Sequence, residues 1–454
     1  MMEGTLSQAA RVMQGTLHGR DGRFSGISTD TRTIQSGEMF FALQGPNFDG
    51  NQFTGVAADK QAAAAVVNAI SGVAIAQIVV DDARLALGRL AADWRRRMPA
   101  TIVGITGSNG KTTLKELVTS CLSRSASTLA TRGNLNNDIG VPTMLSQLST
   151  GHRYAVIEMG ANHAGEIAYL AGITAADVVA ITNAGPAHLE GFGSIEGVAR
   201  AKGEILDNPV RPAIAVLNAD DKYFEYWASR VADTDVITFG LGDSAMVRAS
   251  NIEATDFGSR FVLHVKGESI PVTLRLAGRH NVANACAAAA IASGLGLSAA
   301  MIQAGLEAVQ PVSGRLQPIT AAGGFVIYND SYNANPQSVI AAANFLASQG
   351  GDTCLVLGDM GELGARSADL HTAVGQAAKE LGIHRLFATG ALSKHTVAAF
   401  GEGGHWFGSA AELVDELRKV LTPECRVLVK GSRSARMERV VDALHPQAGA
   451  TGAN

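Results

Sequence analysis

Short runs of apolar, partly β-branched residues recur along the chain after Pro99, and helical patterns separate them. The runs predict strands at Thr101–Thr106, Tyr154–Met159, Val178–Thr182 and Ala213–Leu217. Helical patterns fall between them, for example at Leu114–Ser123 and Ile195–Leu206. Because this alternation is typical of βαβ units, it predicts a mostly parallel sheet covered by helices.

A second series of buried-strand patterns begins near Phe325. Its predicted strands are Phe325–Tyr328, Cys354–Leu357, Arg385–Ala388 and Arg426–Val429. Between the two series, Phe261–Val265 and Val272–Leu276 alternate as an antiparallel pair should, and an Ala-rich helix follows at Val282–Ser293. The chain therefore contains at least two separate sheets.

Two breaks divide this pattern. The helix that ends in Arg95-Arg96-Arg97 stops before Pro99, since a proline favours an extended residue before it, and the three arginines are interpreted as a solvated helix end. Val309–Pro318, with a proline near each end and a glycine inside, is the second hinge. The pattern predicts an α/β protein of three domains, at residues 1–98, 99–312 and 313–454.

Composition narrows the class of protein. The 454 residues are 46% hydrophobic and 17% charged, with a net charge of −4, which excludes disorder and a generally basic nucleic-acid-coating protein. Four widely spaced cysteines predict buried thiols in a reducing compartment. The apolar stretches Ala62–Val80 and Asn281–Leu297 are interrupted by polar residues, so we expect a cytoplasmic protein without membrane insertion.

The strongest chemical signal is a glycine-rich loop between a predicted strand and a predicted helix. It contains Gly107, Ser108, Asn109, Gly110, Lys111, Thr112 and Thr113. Such a loop presents backbone N–H groups to phosphates, while the lysine reaches the β- and γ-phosphates and a threonine hydroxyl reaches Mg²⁺. The strict P-loop pattern requires glycine where this chain has Ile105, so a plain glycine turn stays the alternative interpretation.

Further polar residues follow the predicted strands of the same sheet. Glu158 ends one strand and His188 lies in the glycine-rich loop after the next, where ligands bind in open α/β sheets. Lys202 lies on the following helix, and Asn281 stands at the start of the Ala-rich helix. Taken singly, each has an ordinary structural explanation: a surface acid, a loop histidine, a solvated lysine and a helix N-cap. The residues alone therefore predict an ATP-using α/β enzyme with an unknown acceptor.

Together these motifs resemble the Mur ligase family of ATP-dependent, amide-bond-forming enzymes, whose phosphate loop reads TGxNGKT/S and so accommodates Ile105. The resemblance extends from Ser28 to about Arg439. Three stretches carry it most specifically: Gly133–Pro142, Glu158–Ile167 and Asn329–Pro336. It implies an N-terminal α/β domain that binds UDP-MurNAc, a central P-loop domain that binds ATP, and a C-terminal Rossmann-like ligase domain.

The resemblance also implies roles for single residues. Lys111, Lys202 and His188 would be catalytic, and Thr112, Glu158, His188 and a carbamylated Lys202 would hold two Mg²⁺ ions. The loop from Gly107 to Thr113, with Asn281, Arg315 and Asp330, would bind ATP. The UDP-linked substrate would contact Ser28, Thr29, Asp30, Arg32, Asn136 and Asn137. The acceptor would contact Asn333, Asn335, Ser432 and Arg433.

The implied reaction joins D-alanyl-D-alanine to UDP-MurNAc-tripeptide through an acyl phosphate, in a monomer that needs no nucleic acid. Three alternatives stay open. A sister ligase would add the third residue to UDP-MurNAc-dipeptide. A P-loop NTPase switch or motor would hydrolyse ATP without either substrate. A nucleotide-binding regulator would lack catalysis, which the combination of Lys111, Glu158, His188 and Lys202 disfavours.

Overall fold

The computed structural model describes residues 1–207, 210–231, 233–255 and 257–445, and it contains three main sheets in succession along the chain. This arrangement confirms the predicted three-domain α/β class. The domain boundaries, placed after residues 98 and 312, stay predictions. Residues 446–454, at the end of the predicted third domain, lie outside the described residues.

The first domain is built on a five-stranded sheet with strand order β2-β9-β8-β5-β4, accompanied by the two-stranded ribbons β1-β3 and β6-β7. Its strands are β1 (Gly4–Thr5), β2 (Thr16–His18), β3 (Arg23–Phe24), β4 (Ile27–Ser28), β5 (Met39–Phe41), β6 (Gln44–Gly45), β7 (Phe48–Asp49), β8 (Ala64–Val67) and β9 (Gln77–Val79). Its helices are α1 (Leu6–Met13), α2 (Thr54–Asp59) and α3 (Ala83–Arg97), with a 3₁₀ turn at Gly50–Phe53.

The central domain carries a nine-stranded sheet with the order β11-β12-β10-β13-β14-β15-β16-β17-β18. Its strands are β10 (Thr101–Thr106), β11 (Thr128–Ala130), β12 (Tyr154–Glu158), β13 (Val178–Ile181), β14 (Ile214–Asn218), β15 (Asp235–Gly240), β16 (Val247–Thr255), β17 (Gly258–Val265) and β18 (Glu268–Leu274). The strands from β11 to β16 pair in parallel, whereas β16, β17 and β18 are antiparallel. The predicted antiparallel pair is thus confirmed, with Phe261 opposite Val272.

Helices cover both faces of this sheet. They are α4 (Lys111–Leu122), α5 (Gly140–Leu145), α6 (Glu166–Thr174), α7 (Leu189–Phe192), α8 (Ile195–Gly203), α9 (Phe224–Ala228), α10 (Arg279–Gly294) and α11 (Ala299–Ala308), with a 3₁₀ turn at Glu204–Leu206. The nearly continuous run of alanines buries α10 against one face, as its composition predicted. Within the described ranges, no helix is long and apolar enough to cross a membrane.

The third domain has a six-stranded sheet with the order β19-β20-β24-β21-β22-β23, parallel except for the edge strand β19. Its strands are β19 (Gln317–Thr320), β20 (Val326–Asp330), β21 (Asp352–Leu357), β22 (Arg385–Thr389), β23 (Gly404–Phe407) and β24 (Cys425–Lys430). Its helices are α12 (Pro336–Ser348), α13 (Ser367–Glu380), α14 (Ser393–Phe400), α15 (Ala410–Val420) and α16 (Glu438–Leu444), with 3₁₀ turns at Gly364–Arg366 and Arg433–Ala435.

Two local predictions were wrong. Arg95 is not solvated: it is buried, and its guanidinium donates to the Thr174 and Ala175 carbonyls and to Asp177. It thereby satisfies carbonyl groups at the C-terminal end of α6, which a helix leaves unpaired. Asn281 is not a helix cap, because α10 begins at Arg279 after Gly278, and the Asn281 amide donates back to the Ala277 carbonyl at 2.7 Å. The four cysteines are free and buried, as predicted.

Candidate active site

A cleft of about 710 Å³ lies between the central and third domains. On the central side it is lined by the loops that follow β10, β11, β12 and β13, so the carboxyl ends of neighbouring strands meet there. On the other side it is lined by the loops after β20, β21 and β24. Two sheets therefore present the same type of edge, the one where α/β proteins bind ligands, to a shared space.

The phosphate loop forms the floor of the cleft. Gly107 has a φ of +144°, and a Cβ there would lie 1.9 Å from Thr182 Oγ1, so only glycine fits. The loop leads into the N-terminus of α4, whose first turn has unpaired N–H groups. Lys111 folds back, and its Nζ donates to the Gly107 carbonyl at 2.6 Å. Desolvation lowers the Lys111 pKa, while Glu158 acts in the opposite direction.

Glu158 is held by three polar groups at the end of β12. Its carboxylate accepts from Thr112 Oγ1 at 3.0 Å and from Asn136 Nδ2 at 2.9 Å. Its backbone N–H donates to Thr131 Oγ1 at 2.9 Å. Although Glu158 is almost fully buried, its carboxylate lines the cleft beside the phosphate loop. The structure thus brings together the predicted residues Thr112 and Glu158.

His188 lies in the loop between β13 and α7, with φ of +52°, an uncommon conformation for a non-glycine residue. Its Nδ1 lies against the carboxylate of Glu362, which comes from the third domain. The adjacent imidazole of His188 lowers the pKa of Glu362. His188 is thus placed on the cleft wall, and the two domains touch at this residue.

Lys202 is buried, with 1% of its surface exposed. Its Nζ lies 3.4 Å from the Ala161 carbonyl and 5.1 Å from the centre of the Phe192 ring. Desolvation, with Lys111 nearby, lowers the pKa of Lys202 to about 7, although Glu166 and Glu204 act in the opposite direction. The interpretation of a solvated helix lysine is therefore wrong for this residue. Burial of this kind favours the neutral form of the amine.

Asn281 lies in the first turn of α10, behind the phosphate loop. Its Oδ1 accepts from Asn284 Nδ2 at 3.2 Å, and both asparagines are buried. Asn284 in turn lies against Gly110, since a Cβ on that glycine would come 2.6 Å from Asn284 Oδ1. The structure thus packs the Asn281–Asn284 pair under the loop. Asn284 was not predicted, although its spacing of three from Asn281 places both on one helix face.

Arg315 extends from the third domain to the phosphate loop. Its Nη2 donates to Thr112 Oγ1 at 3.3 Å, and its guanidinium lies 4.1 Å from the centre of the Tyr332 ring. Asp330 fixes the turn behind it by accepting from the Leu316 N–H at 3.1 Å. Lys430 donates to Asp330 Oδ2 at 2.7 Å. The predicted approach of Arg315 to the Lys111 loop is therefore present, whereas Asp330 holds the backbone next to it.

The predicted acceptor residues all line the third-domain side of the cleft: Asn333, Asn335, Ser432 and Arg433. Asn335 caps α12 and also donates to Asn109 Oδ1 at 2.8 Å. Ser432 donates to the Asp359 carbonyl at 2.6 Å. Arg433 pairs with Glu438 at 3.0 Å. Two further basic residues, Lys430 and Arg436, also line this side, together with the acidic Glu362.

The predicted UDP-binding residues fall in two places. Ser28, Thr29, Asp30 and Arg32 form a turn at the end of β4 in the first domain, outside the lining of the cleft. There the hydrogen bond from Arg32 lowers the Asp30 pKa to about 2. Asn136 and Asn137 instead line the cleft, where Asn136 bonds to Glu158 and Asn137 accepts from the Gly140 N–H at 2.9 Å.

Several cleft residues were not predicted. They are Asn134, Asn162, Glu166, Tyr332, Glu362, Lys430 and Arg436, among others. Asn134, Asn162, Glu166 and Tyr332 lie inside the motifs quoted above, so their neighbours were a usable signal. Glu362 and Arg436 reach the cleft only because the third domain docks on the central one, and no local pattern indicates that contact.

Three family models match successive parts of the chain. They are described as "Mur ligase family, catalytic domain" at residues 23–95, "Mur ligase middle domain" at 105–292 and "Mur ligase, glutamate ligase domain" at 314–433. Together with the cleft, these matches define an ATP-dependent, amide-bond-forming ligase. The chain belongs to the Mur ligase family.

Individual relatives within that family are similar to the chain over nearly its whole length. The chain is 43% identical to the UDP-N-acetylmuramoyl-tripeptide–D-alanyl-D-alanine ligase of Escherichia coli strain K12, over 98% of this chain and 99% of that protein. It is 38% identical to the protein of the same name from Haemophilus influenzae, with the same coverage. A crystal structure of MurF from Acinetobacter baumannii superposes with a TM-score of 0.93 at 37% identity, covering 98% of this chain and 99% of that one.

Proposed function

We propose that this protein is the ligase that joins D-alanyl-D-alanine to UDP-MurNAc-tripeptide, at the expense of ATP, in peptidoglycan precursor synthesis. The observation that carries the proposal is the full-length similarity to relatives of that name, 43% in one case over 98% of this chain, with a family model matched in each of the three domains. One of its substrates carries uridine diphosphate and its energy source is ATP, which favours the cytoplasm. We propose that the protein acts as a monomer.

The first step requires a positioned ATP. We propose that Lys111 and the backbone N–H groups of the loop from Gly107 to Thr113 hold the phosphates, while Asn281, Arg315 and Asp330 lie around the rest of the nucleotide. An oxygen of the tripeptide's terminal carboxylate attacks the γ-phosphorus, the bond to ADP breaks, and an acyl phosphate forms. Lys111 and Arg315 are suitably placed to stabilise the negative charge that builds on the transferring phosphoryl group.

The residues present fit Mg²⁺. Thr112, Glu158 and His188 offer a hydroxyl, a carboxylate and an imidazole on one side of the cleft. Among the described residues they do not form a complete protein cage for a metal. Mg²⁺ usually takes only one or two carboxylates and completes its coordination with phosphates and water. When bound, it would neutralise charge on the phosphate oxygens.

Lys202 is proposed to act as a carbamate. Its neutral amine attacks CO₂, a carbon–nitrogen bond forms, one proton leaves, and the product is an anion. The burial of Lys202 and its pKa of about 7 support this chemistry, because the reactive form is the uncharged amine. A carbamate would supply an anionic oxygen beside the cleft residue Ala161, whereas an ammonium would repel a metal ion.

In the second step, the amine of D-alanyl-D-alanine attacks the acyl carbon and loses a proton, and the tetrahedral adduct expels phosphate. We propose that Asn333, Asn335, Ser432 and Arg433 hold the acceptor. Ser28, Thr29, Asp30 and Arg32 would bind the uridine diphosphate end of the other substrate, with Asn136 and Asn137 nearer its peptide end. Since water would destroy the acyl phosphate, the contact between the two domains is part of the chemistry.

To test this proposal, the protein is incubated with ATP, Mg²⁺ and UDP-MurNAc-tripeptide, with and without D-alanyl-D-alanine, and the mass of the product is measured. We expect a pentapeptide product and one phosphate per bond, only when both substrates are present. A parallel incubation with UDP-MurNAc-dipeptide and a diamino acid tests the activity of the sister ligase. Product from the dipeptide would establish the sister ligase instead, and equal ATP turnover without either substrate would establish a general NTPase.

A second experiment tests Lys202 itself. Lys202→Ala is expected to lose most turnover while it still binds UDP-MurNAc-tripeptide, and formate or acetate is expected to restore part of the activity by occupying the vacated space. Lys222→Ala is the control, since that lysine is exposed on the surface of the same domain. Turnover of Lys202→Ala close to that of the wild type would contradict the carbamate.

A further inference from the structure

Three side-chain amides form a hydrogen-bonded cluster across the boundary between the central and third domains. Asn335 Nδ2 donates to Asn109 Oδ1 at 2.8 Å, and Asn109 Nδ2 donates to Gln337 Oε1 at 3.2 Å. Asn109 belongs to the phosphate loop, whereas Asn335 and Gln337 belong to the start of α12. The single amide of Asn109 therefore both accepts from and donates to the other domain.

The central-domain side of the cluster is rigid. The Asn109 N–H donates to Asn183 Oδ1 at 3.0 Å, and the Asn109 carbonyl accepts from Thr182 Oγ1 at 2.6 Å. Ser108 Oγ and the backbone of Gly185 are hydrogen-bonded to each other. With its backbone fixed in this way, Asn109 can respond to the third domain only through its side chain.

Gly185 leaves room for the Gln337 side chain. A Cβ on Gly185 would lie 1.8 Å from Gln337 Oε1 and 2.8 Å from its Cδ, and the nearest atoms are all in that one side chain. A methyl group there would push the Gln337 amide away from Asn109 and leave the loop backbone in place. The pair is therefore complementary in shape as well as in hydrogen bonding.

On the third-domain side, the cluster continues into the segment of residues 333–335. Asn335 and Ser338 form a reciprocal capping box at the start of α12. The Asn333 carbonyl accepts from the buried Lys430 Nζ at 2.8 Å. This segment lines the cleft, so a shift of α12 relative to the phosphate loop moves the wall on which the acceptor is proposed to bind.

We propose that Gln337 is a positioning residue that, through Asn109, couples occupancy of the phosphate loop to placement of the acceptor-binding wall. This inference rests on the proposed function for the identity of the acceptor. Gln337 does not line the cleft, so it acts on the reaction only through Asn109 and Asn335. Coupling between two ligands is reciprocal. The nucleotide should therefore increase the affinity for the acceptor, and the acceptor should increase the affinity for the nucleotide by the same factor.

The test is a double-mutant cycle on Gln337→Ala, Gly185→Ala and the pair. Each single variant should raise the KM for D-alanyl-D-alanine by about three- to tenfold, the range expected for one lost hydrogen bond, and leave the dissociation constant of ATP alone within about twofold. The double variant should be no worse than either single variant, because both remove the same contact. Gln376→Ala, at an exposed position of α13, and Gly172→Ala, at an open position of α6, are the controls.

Additive effects in the double variant, or equal losses in ATP and acceptor binding, would overturn the inference. Thermal unfolding of each variant identifies losses due to misfolding, and Gln337→Glu supplies a second variant of similar size. Small-angle scattering provides a measurement that does not depend on catalysis. The decrease in the radius of gyration when an ATP analogue binds should be smaller in Gln337→Ala than in the wild type. If the wild type makes no amide product, the proposed function fails, and scattering still decides the coupling.

Discussion

The central domain meets its two neighbours in different ways. Its joint with the first domain is mostly apolar: α3 contributes Leu90 and Trp94 to the same continuous core as Leu145, Leu148 and Ile173 of the central domain. Its joint with the third domain is mostly polar and lies over the cleft. Among the described residues, Ala277 is the only residue of the central domain that packs in the hydrophobic core of the third domain.

The two joints therefore have different roles in the protein. A shared apolar core cannot be opened without exposing it to water, so the first joint holds the two domains as one unit. The second joint depends on contacts such as Arg315 with Thr112, Asn335 with Asn109 and His188 with Glu362. Such contacts exchange readily with water, so we expect the third domain to move about the predicted hinge at Val309–Pro318. We therefore expect mutations at the first joint to change stability and those at the second to change catalysis.

The largest effect on catalysis is expected from Arg315→Ala at the second joint. Removing a cation from the phosphate loop should lower kcat/KM by about 10²- to 10³-fold, as loss of a single charge-stabilising donor commonly does. The temperature of unfolding should stay close to that of the wild type, because Arg315 belongs to no apolar core. Steady-state kinetics and thermal unfolding measure the two quantities, and Arg418→Ala, an exposed helix arginine, is the control. A stability loss that matches the kinetic loss would contradict the separation of tasks.

The next effect is expected from Trp94→Ala at the first joint. The indole is nearly buried, and its Nε1 donates to the Leu148 carbonyl at 3.0 Å. Truncation should lower the free energy of unfolding by about 3–5 kcal/mol, as measured by denaturant titration. The KM values of the folded fraction should hardly change, and Trp94→Phe should recover part of the stability. If the first domain unfolded alone in Trp94→Ala, the two domains would not be one cooperative unit.

Local patterns predicted the central sheet well, because a buried parallel strand is a continuous apolar run. Thr101–Thr106 is a strand with the predicted limits. Helix α4 begins at Lys111 rather than at Leu114, since its first turn faces the cleft and lacks the apolar period. Strands β11, β15 and β16 were not predicted. In β16 the register shifts between Ser250 and Glu253, which interrupts the alternation on which strand prediction depends.

The site was predictable as far as its motifs extend. The phosphate loop, Glu158 and Arg315 all line one cleft. The contact of His188 with Glu362, and that of Asn109 with Gln337, join residues far apart in the chain, and only the docking of two domains creates them. The interpretation of Arg95 failed for the same reason, because its partners belong to α6 and the loop after it.

Arg95→Met tests the polar part of the first joint. The change would leave the Thr174 and Ala175 carbonyls and the Asp177 carboxylate without this donor. The free energy of unfolding should fall by about 1–3 kcal/mol, the usual cost of unpaired buried polar groups. Arg96→Met is a matched control, since the Arg96 side chain is exposed and such substitutions usually change stability by less than about 0.5 kcal/mol. Equal effects of the two variants would restore the interpretation of a solvated helix end.

The smallest effect is expected from Arg84→Ala, which removes an ion pair at the rim of the first joint. Arg84 Nη1 lies 3.1 Å from Asp138 Oδ2, and both side chains are well exposed, at 41% and 38%. Because water screens such a pair, its loss should cost no more than about 1 kcal/mol, and less as salt rises. Denaturant titration at low and high ionic strength measures this. A loss as large as that of Trp94→Ala would mean that charge, rather than the shared apolar core, holds the first two domains together.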